Sequence, residues 1–130
     1  MTNQELIAKA KELMTRAYAP YSHFQVGAAL LAKDGRVFTG CNVENATYGA
    51  TICAERTAVT KAVSEGVREF EKIAIVASSG EYAAPCGICS QVLFEFMPEG
   101  KGVLWSELEG EKEFALTELL PFGFRGEDIK

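Results

Sequence analysis

Apolar positions recur along the chain with two periods, about 3.6 and 2 residues, which predict a mixture of helices and strands. The first helical pattern covers residues 2–18. Thr2 and Glu5 form a capping-box pattern at its start, and Pro20 limits its end. Its apolar face consists of Leu6, Leu13, Met14 and Ala17.

Two strand patterns follow, at residues 25–32 and 36–41. They flank Asp34-Gly35, a dipeptide typical of tight hairpin turns. A continuous apolar run from Ile73 to Ala77 predicts a strand buried on both faces, as in a parallel sheet. Val103–Trp105 predicts a further short strand.

The remaining helical patterns cover residues 53–65 and 86–97, with a final helical turn at Leu116–Leu120. Gly66 is placed to cap the second helix, and Pro98 to stop the third. For the second helix we expect an inward face of Ala54, Ala58 and Ala62, and for the third an inward face of Ile88, Val92, Leu93 and Phe96.

This order of elements, a hairpin followed by alternating strands and helices, predicts a mixed sheet with helices on both faces. Ligand sites in such folds lie at the carboxyl ends of strands, where helices begin. Two of the predicted helices begin at cysteines, so the cysteines are expected near such a site.

Length and charge narrow the class of protein. The 130 residues suffice for one domain, predicted to span residues 1–130. A net charge of −5 argues against long nucleic acids as partners. The sequence has no apolar stretch of membrane-spanning length, and its first residues lack the apolar core of a signal peptide. We therefore expect a cytoplasmic protein that acts on a small molecule, with no membrane partner.

The cysteines carry the most informative chemistry. Cys53 opens one predicted helix, and Cys86 and Cys89 open another, so three thiolates could converge on one zinc ion and leave its fourth position for water. Helix N-termini favour thiolates. Glu55, two residues after Cys53, could take a proton from that water, and Arg56 would offset the excess negative charge.

Each of these residues also has a plainer interpretation. Cys86 and Cys89 alone suit a thiol redox pair about as well as a metal site, and the third thiol at Cys53 tips the choice toward zinc. Cys41 is expected to be a small buried apolar residue, because a fourth thiolate would close the site. His23 is expected in a solvated loop.

Motifs along nearly the whole chain resemble the zinc-dependent cytidine deaminase family, in its short, three-cysteine class. Cys53-Ala54-Glu55 and Pro85-Cys86-Gly87-Ile88-Cys89 match the zinc-deaminase signature. Further motifs similar to nucleoside-specific members are Tyr18-Ala19-Pro20-Tyr21-Ser22, Phe24-Gln25-Val26-Gly27-Ala28, Gly40-Cys41-Asn42-Val43-Glu44-Asn45 and Glu118-Leu119-Leu120-Pro121.

The resemblance implies a three-layer α/β/α fold with a five-stranded mixed sheet, and zinc-dependent conversion of cytidine and deoxycytidine to uridine and deoxyuridine in pyrimidine salvage. One Zn²⁺ per chain would be bound by the three cysteines, with Glu55 as the catalytic proton carrier. It further implies a homotetramer with shared active sites. The implied substrate contacts are Phe24 on the pyrimidine, Asn42 and Glu44 on the ribose, Tyr48 at the edge, the Ala54 N–H on the base carbonyl, and Phe124 from a neighbouring subunit.

Two positions depart from that pattern or leave it open. Ser90 stands where related chains often have arginine, which would leave Arg56 as the compensating cation. Phe122 is an alternative to Phe124 as the residue that reaches a neighbouring site. Rival functions are deamination of a cytosine-containing nucleoside antibiotic, deamination of single-stranded nucleic acid, which the charge disfavours, and a thiol redox or structural zinc protein.

Overall fold

The computed structural model describes residues 1–129; Lys130, the last residue of the predicted domain, lies outside it. The elements in chain order are α1 (Asn3–Met14), β1 (Val26–Ala32), β2 (Val37–Cys41), α2 (Ala54–Ser64), β3 (Phe70–Ala77), α3 (Gly87–Phe96), β4 (Lys101–Ser106), β5 (Gly110–Ala115) and α4 (Leu116–Leu119). Short 3-10 turns occur at Tyr48–Ala50 and Gly126–Ile129. None of the helices within residues 1–129 combines the length and apolar character needed to cross a membrane.

The strands form one five-stranded sheet in the order β2-β1-β3-β4-β5. Only β3 and β4 pair in parallel, and the other neighbours are antiparallel, so the sheet is mixed as expected. The parallel pair is connected through α3, which places the start of that helix beyond the carboxyl end of β3. The predicted hairpin is confirmed, with Gly35 at a φ of 94° in its turn.

Helices cover both faces of the sheet, which confirms the three-layer architecture. The α1 side buries Leu6, Ile7 and Ala10 against alternate residues of β1 and β3, including Ala29 and Val76. On the opposite face, α2 and α3 pack against the intervening strand residues, among them Leu30, Ile73 and Ile75. This burial of β3 from both sides explains its continuous apolar run.

Three local expectations are wrong. The first helix ends at Met14 instead of residue 18, because the amides of Arg16 and Ala17 bond to carbonyls three residues back and that of Tyr18 bonds to Asn42. Ile88 is 65% exposed, since the inward face of α3 is formed by Cys89, Ser90, Leu93 and Phe94. Cys41 is half-buried rather than buried, because it lies at the end of the edge strand β2.

The expected caps at Thr2 and Gly66 are confirmed, but the capping box is only half formed, because the Glu5 carboxylate is bonded to the Thr2 hydroxyl instead of the Thr2 backbone amide. The Thr2 hydroxyl accepts a hydrogen bond from the Glu5 amide at 3.1 Å and donates one to the Glu5 carboxylate at 3.2 Å. Gly66 follows α2 with a φ of 87°, a left-handed conformation that glycine adopts without steric cost. Both boundaries are therefore set by local sequence.

Candidate functional site

Three cysteine sulfurs converge where two helices begin. Cys53 is the N-cap residue of α2, Cys86 is the N-cap residue of α3, and Cys89 lies in the first turn of α3. Their Sγ atoms all lie within 4.8 Å of one another. The Cys86 sulfur accepts a hydrogen bond from the Cys89 amide at 3.4 Å, whereas the Cys53 side chain makes no capping bond.

The position of α2 depends on close contact with the edge strand. A Cβ atom at Gly40 of β2 would lie 2.5 Å from the Ala54 carbonyl oxygen and 2.6 Å from the Ala58 amide nitrogen. Only glycine therefore allows the strand to approach the first turn of the helix so closely. Cys53 is held at the sheet edge by this contact.

The pKa values of Cys53 and Cys89 are shifted in opposite directions. The Cys89 thiol, which donates to the Cys53 sulfur, and the nearby Arg56 guanidinium lower the pKa of Cys53 to about 5. The pKa of Cys89 is raised, because its thiol serves as that donor, because it is buried, and because it would ionise beside other negative groups. Negative charge on the Cys53 sulfur therefore disfavours ionisation of Cys89, and a cation between these two sulfurs would favour both thiolates.

Glu55 lies in the first turn of α2 and is only 5% exposed. Burial raises the pKa of its carboxyl group, and negative charge on Cys53 acts in the same direction. A buried carboxyl group whose pKa is raised is a candidate for accepting and returning a proton during a reaction. Ala54, the first residue of the helix, is fully buried, and its N–H belongs to the amides that have no partner within the helix.

The Arg56 side chain lies against the cluster. Its Nη2 atom donates to the Thr51 carbonyl oxygen at 3.0 Å, and charge on Cys53 and Cys89 favours its protonated form. Within residues 1–129 its buried Nε atom has no hydrogen-bond acceptor. Ser90, 1% exposed, sits beside Cys89 and directs its hydroxyl to the Pro85 carbonyl, so it brings no positive charge.

These features fit a zinc ion. Three sulfurs from two helix starts form the donor set that zinc accepts, and the number leaves one coordination position open. The unpaired Nε of Arg56 beside the thiols is a donor suited to a sulfur that carries negative charge. Cys53, Cys86 and Cys89 are the residues that would hold the metal.

Backbone pairing brings the segment 42–44 beside the start of α2. Val43 exchanges both backbone hydrogen bonds with Ile52, at 2.9 and 3.0 Å. On the other side of the segment, the Tyr18 amide donates to Asn42 and the Glu44 amide donates to Tyr18. Val43, which stands between the two predicted sugar-binding residues, is thus paired with the residue immediately before Cys53.

The side chains of Asn42 and Glu44 already serve the loop before β1. Asn42 is 8% exposed; its Nδ2 donates to the Phe24 carbonyl at 2.8 Å, and its Oδ1 accepts from the Val26 amide at 2.9 Å. Glu44 Oε1 accepts from the amides of Tyr21 and Ser22 at 3.0 and 3.1 Å. Asn42 Nδ2 keeps a second N–H and Asn42 Oδ1 a second lone pair, whereas on Glu44 it is Oε2, bonded to the Ser22 hydroxyl alone, that keeps a free acceptor site.

An open cleft of about 300 Å³ lies next to Glu44. Its walls are Tyr21, Ser22, Glu44, Asn45, Tyr48 and Thr51. The cysteines do not line it, but Thr51 does, and the Thr51 carbonyl is the acceptor of the Arg56 bond. Tyr48, 72% exposed, meets Tyr21 edge to face at 6.0 Å at the rim.

The remaining aromatic candidates lie on the surface of the chain. Phe24 is 42% exposed in the loop that precedes β1. Phe124 is 56% exposed, and its backbone is bound twice by Gln91 of α3, whose side chain accepts from the Phe124 amide at 3.0 Å and donates to its carbonyl at 2.7 Å. Phe122 is 98% exposed. His23 is exposed, as expected.

Three contact residues were missed by sequence reasoning: Ser22, Thr51 and Gln91. Ser22 stands two residues before Phe24, a spacing typical of hydroxyl turns, which is a weak indication. Thr51 acts through its carbonyl group, so its side chain carries no indication at all. Gln91 follows the CxxC motif in an apolar helix, and its partner Phe124 is 33 residues distant, so no local pattern indicates their contact.

Comparison with known proteins places the chain among deaminases. The family model described as "Cytidine and deoxycytidylate deaminase zinc-binding region" matches residues 1–103. A cytidine deaminase of Halalkalibacterium halodurans is 50% identical over 130 residues, covering 99% of this chain and 98% of its own. One of Sporosarcina psychrophila is 48% identical, covering 99% and 96%.

A solved structure shares the fold over the same extent. The crystal structure of cytidine deaminase from Burkholderia pseudomallei superposes with a TM-score of 0.90 at 46% sequence identity. The match covers 95% of this chain and 100% of the other. The similarity therefore includes both cysteine-bearing helices and the sheet against which they pack.

Proposed function

Because the chain belongs to the cytidine and deoxycytidylate deaminase family, we propose that its three-cysteine site carries out the hydrolytic deamination of cytidine and deoxycytidine. The products are uridine or deoxyuridine and ammonia. The observation that carries this proposal is the convergence of three sulfurs within 4.8 Å at two helix starts, with a buried glutamate two residues after one of them.

Cys53, Cys86 and Cys89 bind the zinc ion as thiolates. When bound, zinc lowers the pKa of a water molecule toward ~7 and so supplies a nucleophile at neutral pH. Arg56 and the N-termini of α2 and α3 offset the negative charge of three thiolates. Because Ser90, the residue after Cys89, is uncharged, Arg56 is the side chain that supplies this compensating positive charge.

Glu55 carries the protons. Its carboxylate takes a proton from the attacking water and delivers it to N3 of the cytosine ring, which makes C4 more electrophilic. After attack at C4, Glu55 takes the remaining proton from the oxygen now bonded to C4 and transfers it to the amine; the C4–N bond breaks, ammonia leaves, and the C4 carbonyl of the product forms. Its burial supports this role, because a raised pKa lets the carboxyl group hold each proton between transfers.

The surrounding residues orient the nucleoside. The Phe24 ring packs on the pyrimidine, the Ala54 N–H bonds to the base carbonyl, and Tyr48 borders the site at the cleft rim. Asn42 and Glu44 bond to the ribose hydroxyls through the hydrogen-bonding capacity that their loop contacts leave unused. The Glu44 carboxylate is a charge-assisted acceptor for a sugar hydroxyl.

The direct test follows the ultraviolet absorbance of cytidine incubated with purified, zinc-replete protein. We expect turnover by the wild type and a loss of kcat of at least ~100-fold in Glu55→Gln, with zinc content preserved, because glutamine has a similar volume but no proton-accepting carboxylate. A redox or structural zinc protein would leave cytidine unchanged. Near-normal turnover by Glu55→Gln would remove Glu55 from the mechanism.

We further propose a homotetramer in which neighbouring subunits complete each site, acting in the cytoplasm in pyrimidine salvage. Phe124 is the residue proposed to reach the neighbour's base site: it is exposed, yet its backbone is anchored by Gln91. An aromatic ring stacked on a base contributes ~1–3 kcal/mol, so Phe124→Ala should raise KM roughly 5- to 150-fold and leave zinc bound.

Mixing two defective variants tests the shared site. Subunit exchange between Phe124→Ala and Glu55→Gln would create some sites with both Glu55 and a neighbour's Phe124, and activity should return. If mass measurements show exchange and activity stays absent, Phe124 does not act across an interface. Sedimentation of a fully active monomer would contradict the proposed assembly.

A further inference from the structure

The Ser22 hydroxyl lies between two residues that the proposed function assigns to different parts of the substrate. It donates a hydrogen bond to the Glu44 carboxylate, the proposed sugar acceptor. The same oxygen accepts a hydrogen bond from the Phe24 amide at 3.0 Å. One hydroxyl group therefore connects the proposed sugar contact to the backbone of the proposed base contact.

The Phe24 peptide group is held from its other side as well. Its carbonyl oxygen accepts from Asn42 Nδ2 at 2.8 Å, so Ser22 and Asn42 fix the two ends of the residue. Between Ser22 and Phe24, His23 adopts a φ of 60°, a left-handed conformation that residues with a Cβ atom rarely take. The bonds from Ser22 and Asn42 act together with the His23 amide, which donates to the Ala19 carbonyl at 3.0 Å, to hold the loop in this conformation and to restrict the direction of the Phe24 side chain.

The Glu44 carboxylate is held in the same loop. Its Oε1 accepts from the amides of Tyr21 and Ser22, while Oε2 accepts from the Ser22 hydroxyl. The Ser22 hydroxyl and the two amides hold the pKa of Glu44 below its ordinary value, so the carboxylate is ionised at neutral pH. An ionised acceptor strengthens each of these bonds.

We propose that Ser22 is a positioning residue that sets the Phe24 ring and the Glu44 carboxylate at a fixed separation matched to the base and sugar of one nucleoside. The inference rests on the proposed function, which supplies the two contacts that Ser22 joins. We call this pair of hydrogen bonds the Ser22 relay; it runs from the Glu44 carboxylate through the Ser22 hydroxyl to the Phe24 amide. A hydroxyl group suits it because it donates and accepts at once.

The relay predicts an effect on substrate binding and not on the chemical step. Ser22→Ala removes both bonds but touches neither the cysteines nor Glu55. Hydrogen bonds to charged groups are among the stronger ones, and partial exposure weakens them, so we expect KM for cytidine to rise about 5- to 20-fold. The value of kcat should change by less than about twofold, because Glu55 acts after the nucleoside is bound.

Two further variants separate positioning from general damage. Ser22→Thr keeps the hydroxyl and should restore KM to near the wild-type value. Ser79→Ala is the matched control, because the Ser79 hydroxyl makes the same local bond, accepting from the amide two residues on at 3.2 Å, in another exposed turn. Its KM should stay unchanged. Equal KM values for Ser22→Ala and Ser79→Ala would overturn the relay.

A double-mutant cycle asks whether Ser22 acts through Glu44. In a Glu44→Gln background, Ser22→Ala should raise KM by clearly less than it does in the wild type, because the charged end of the relay is already absent. Equal fold-changes in the two backgrounds would mean that the residues act independently, which contradicts the proposal.

The Phe24 amide provides a readout that needs no turnover. In a proton–nitrogen NMR spectrum its resonance should move upfield in Ser22→Ala and stay in place in Ser22→Thr and Ser79→Ala. An unmoved resonance in Ser22→Ala overturns the relay even in an active enzyme. If the wild type does not turn over cytidine, the proposed function is rejected instead. The proposal that Ser22 couples the sugar contact to the base contact is then rejected with it.

Discussion

Gly40 offers a direct test of how the fold places the metal site. An alanine methyl there would lie 2.5 Å from the Ala54 carbonyl oxygen and 2.6 Å from the Ala58 amide nitrogen. Both atoms belong to the backbone of α2, so no side-chain rotation can relieve the contact. The first turn of α2, which carries Cys53 at its N-cap, has to move.

The size of that movement follows from the contact distances. Ordinary van der Waals contact begins at 3.4 Å, so the helix would have to retreat by about 0.9 Å. Zinc sites tolerate deviations of only about 0.2 Å in ligand distances. We therefore expect Gly40→Ala to weaken zinc binding at least ~10-fold and to lower the free energy of unfolding by about 1–3 kcal/mol, the usual cost of overpacking.

Zinc affinity is measured by competition with a chromophoric chelator, and stability by urea unfolding of the metal-free protein. Gly126→Ala is the matched control, because a Cβ atom there meets no described atom within 4 Å and its φ is not positive; both measured quantities should stay at wild-type values. If Gly40→Ala also keeps wild-type zinc affinity and stability, the close approach of β2 to α2 does not position Cys53.

Further predictions concern single side chains. Alanine at any of the three clustered cysteines should abolish stoichiometric zinc binding, measured by metal analysis, whereas Cys41→Ala should retain it; equal loss in Cys41→Ala would contradict the ligand set. Glu44→Gln should reduce the penalty for removing the 3′-hydroxyl of the substrate, read as the ratio of kcat/KM values, and an unchanged ratio would mean that Glu44 does not contact the sugar. Because the folded-state pKa of Glu44 is lowered, its ionised form stabilises the fold above the ordinary carboxyl range, and this contribution is lost as pH falls through the folded-state value; Glu44→Gln should therefore lose less stability on acidification, as thermal unfolding at several pH values would show or refute. Gln91→Ala removes two bonds to the Phe124 backbone and should raise KM roughly 3- to 10-fold with zinc content unchanged; an unaltered KM would show that the anchor is dispensable.

Local sequence determined most of the elements and the chemistry they carry. The N-cap at Thr2, the hairpin turn at Gly35 and the cap at Gly66 depend on contacts within a few residues, so their positions could be predicted closely. The apolar run of β3 indicated burial on both faces, which the helical layers confirm. The cysteine spacing likewise indicated which helices begin at thiols.

Elements without an apolar pattern were beyond sequence reasoning. No periodicity marks β5, Gly-Glu-Lys-Glu-Phe-Ala, because an edge strand is held mainly by backbone hydrogen bonds to β4, and backbone bonds leave no trace in side-chain type. Only the family resemblance predicted a fifth strand. The inward face of α3 was misassigned for a related reason: Ile88 is apolar yet exposed, since the helix presents Cys89 and Ser90 to the interior.

Long-range geometry decided everything that makes the cysteines a site. Cys53 and the two cysteines of α3 belong to helices connected through β3, and only the sheet order brings their sulfurs within 4.8 Å. The same holds for Ser22 beside Glu44, 22 residues apart, and for Gln91 beside Phe124, 33 residues apart. A sequence indicates which groups can bond, but the distance between them depends on how closely strands and helices pack, and at Gly40 that packing depends on the absence of a single methyl group.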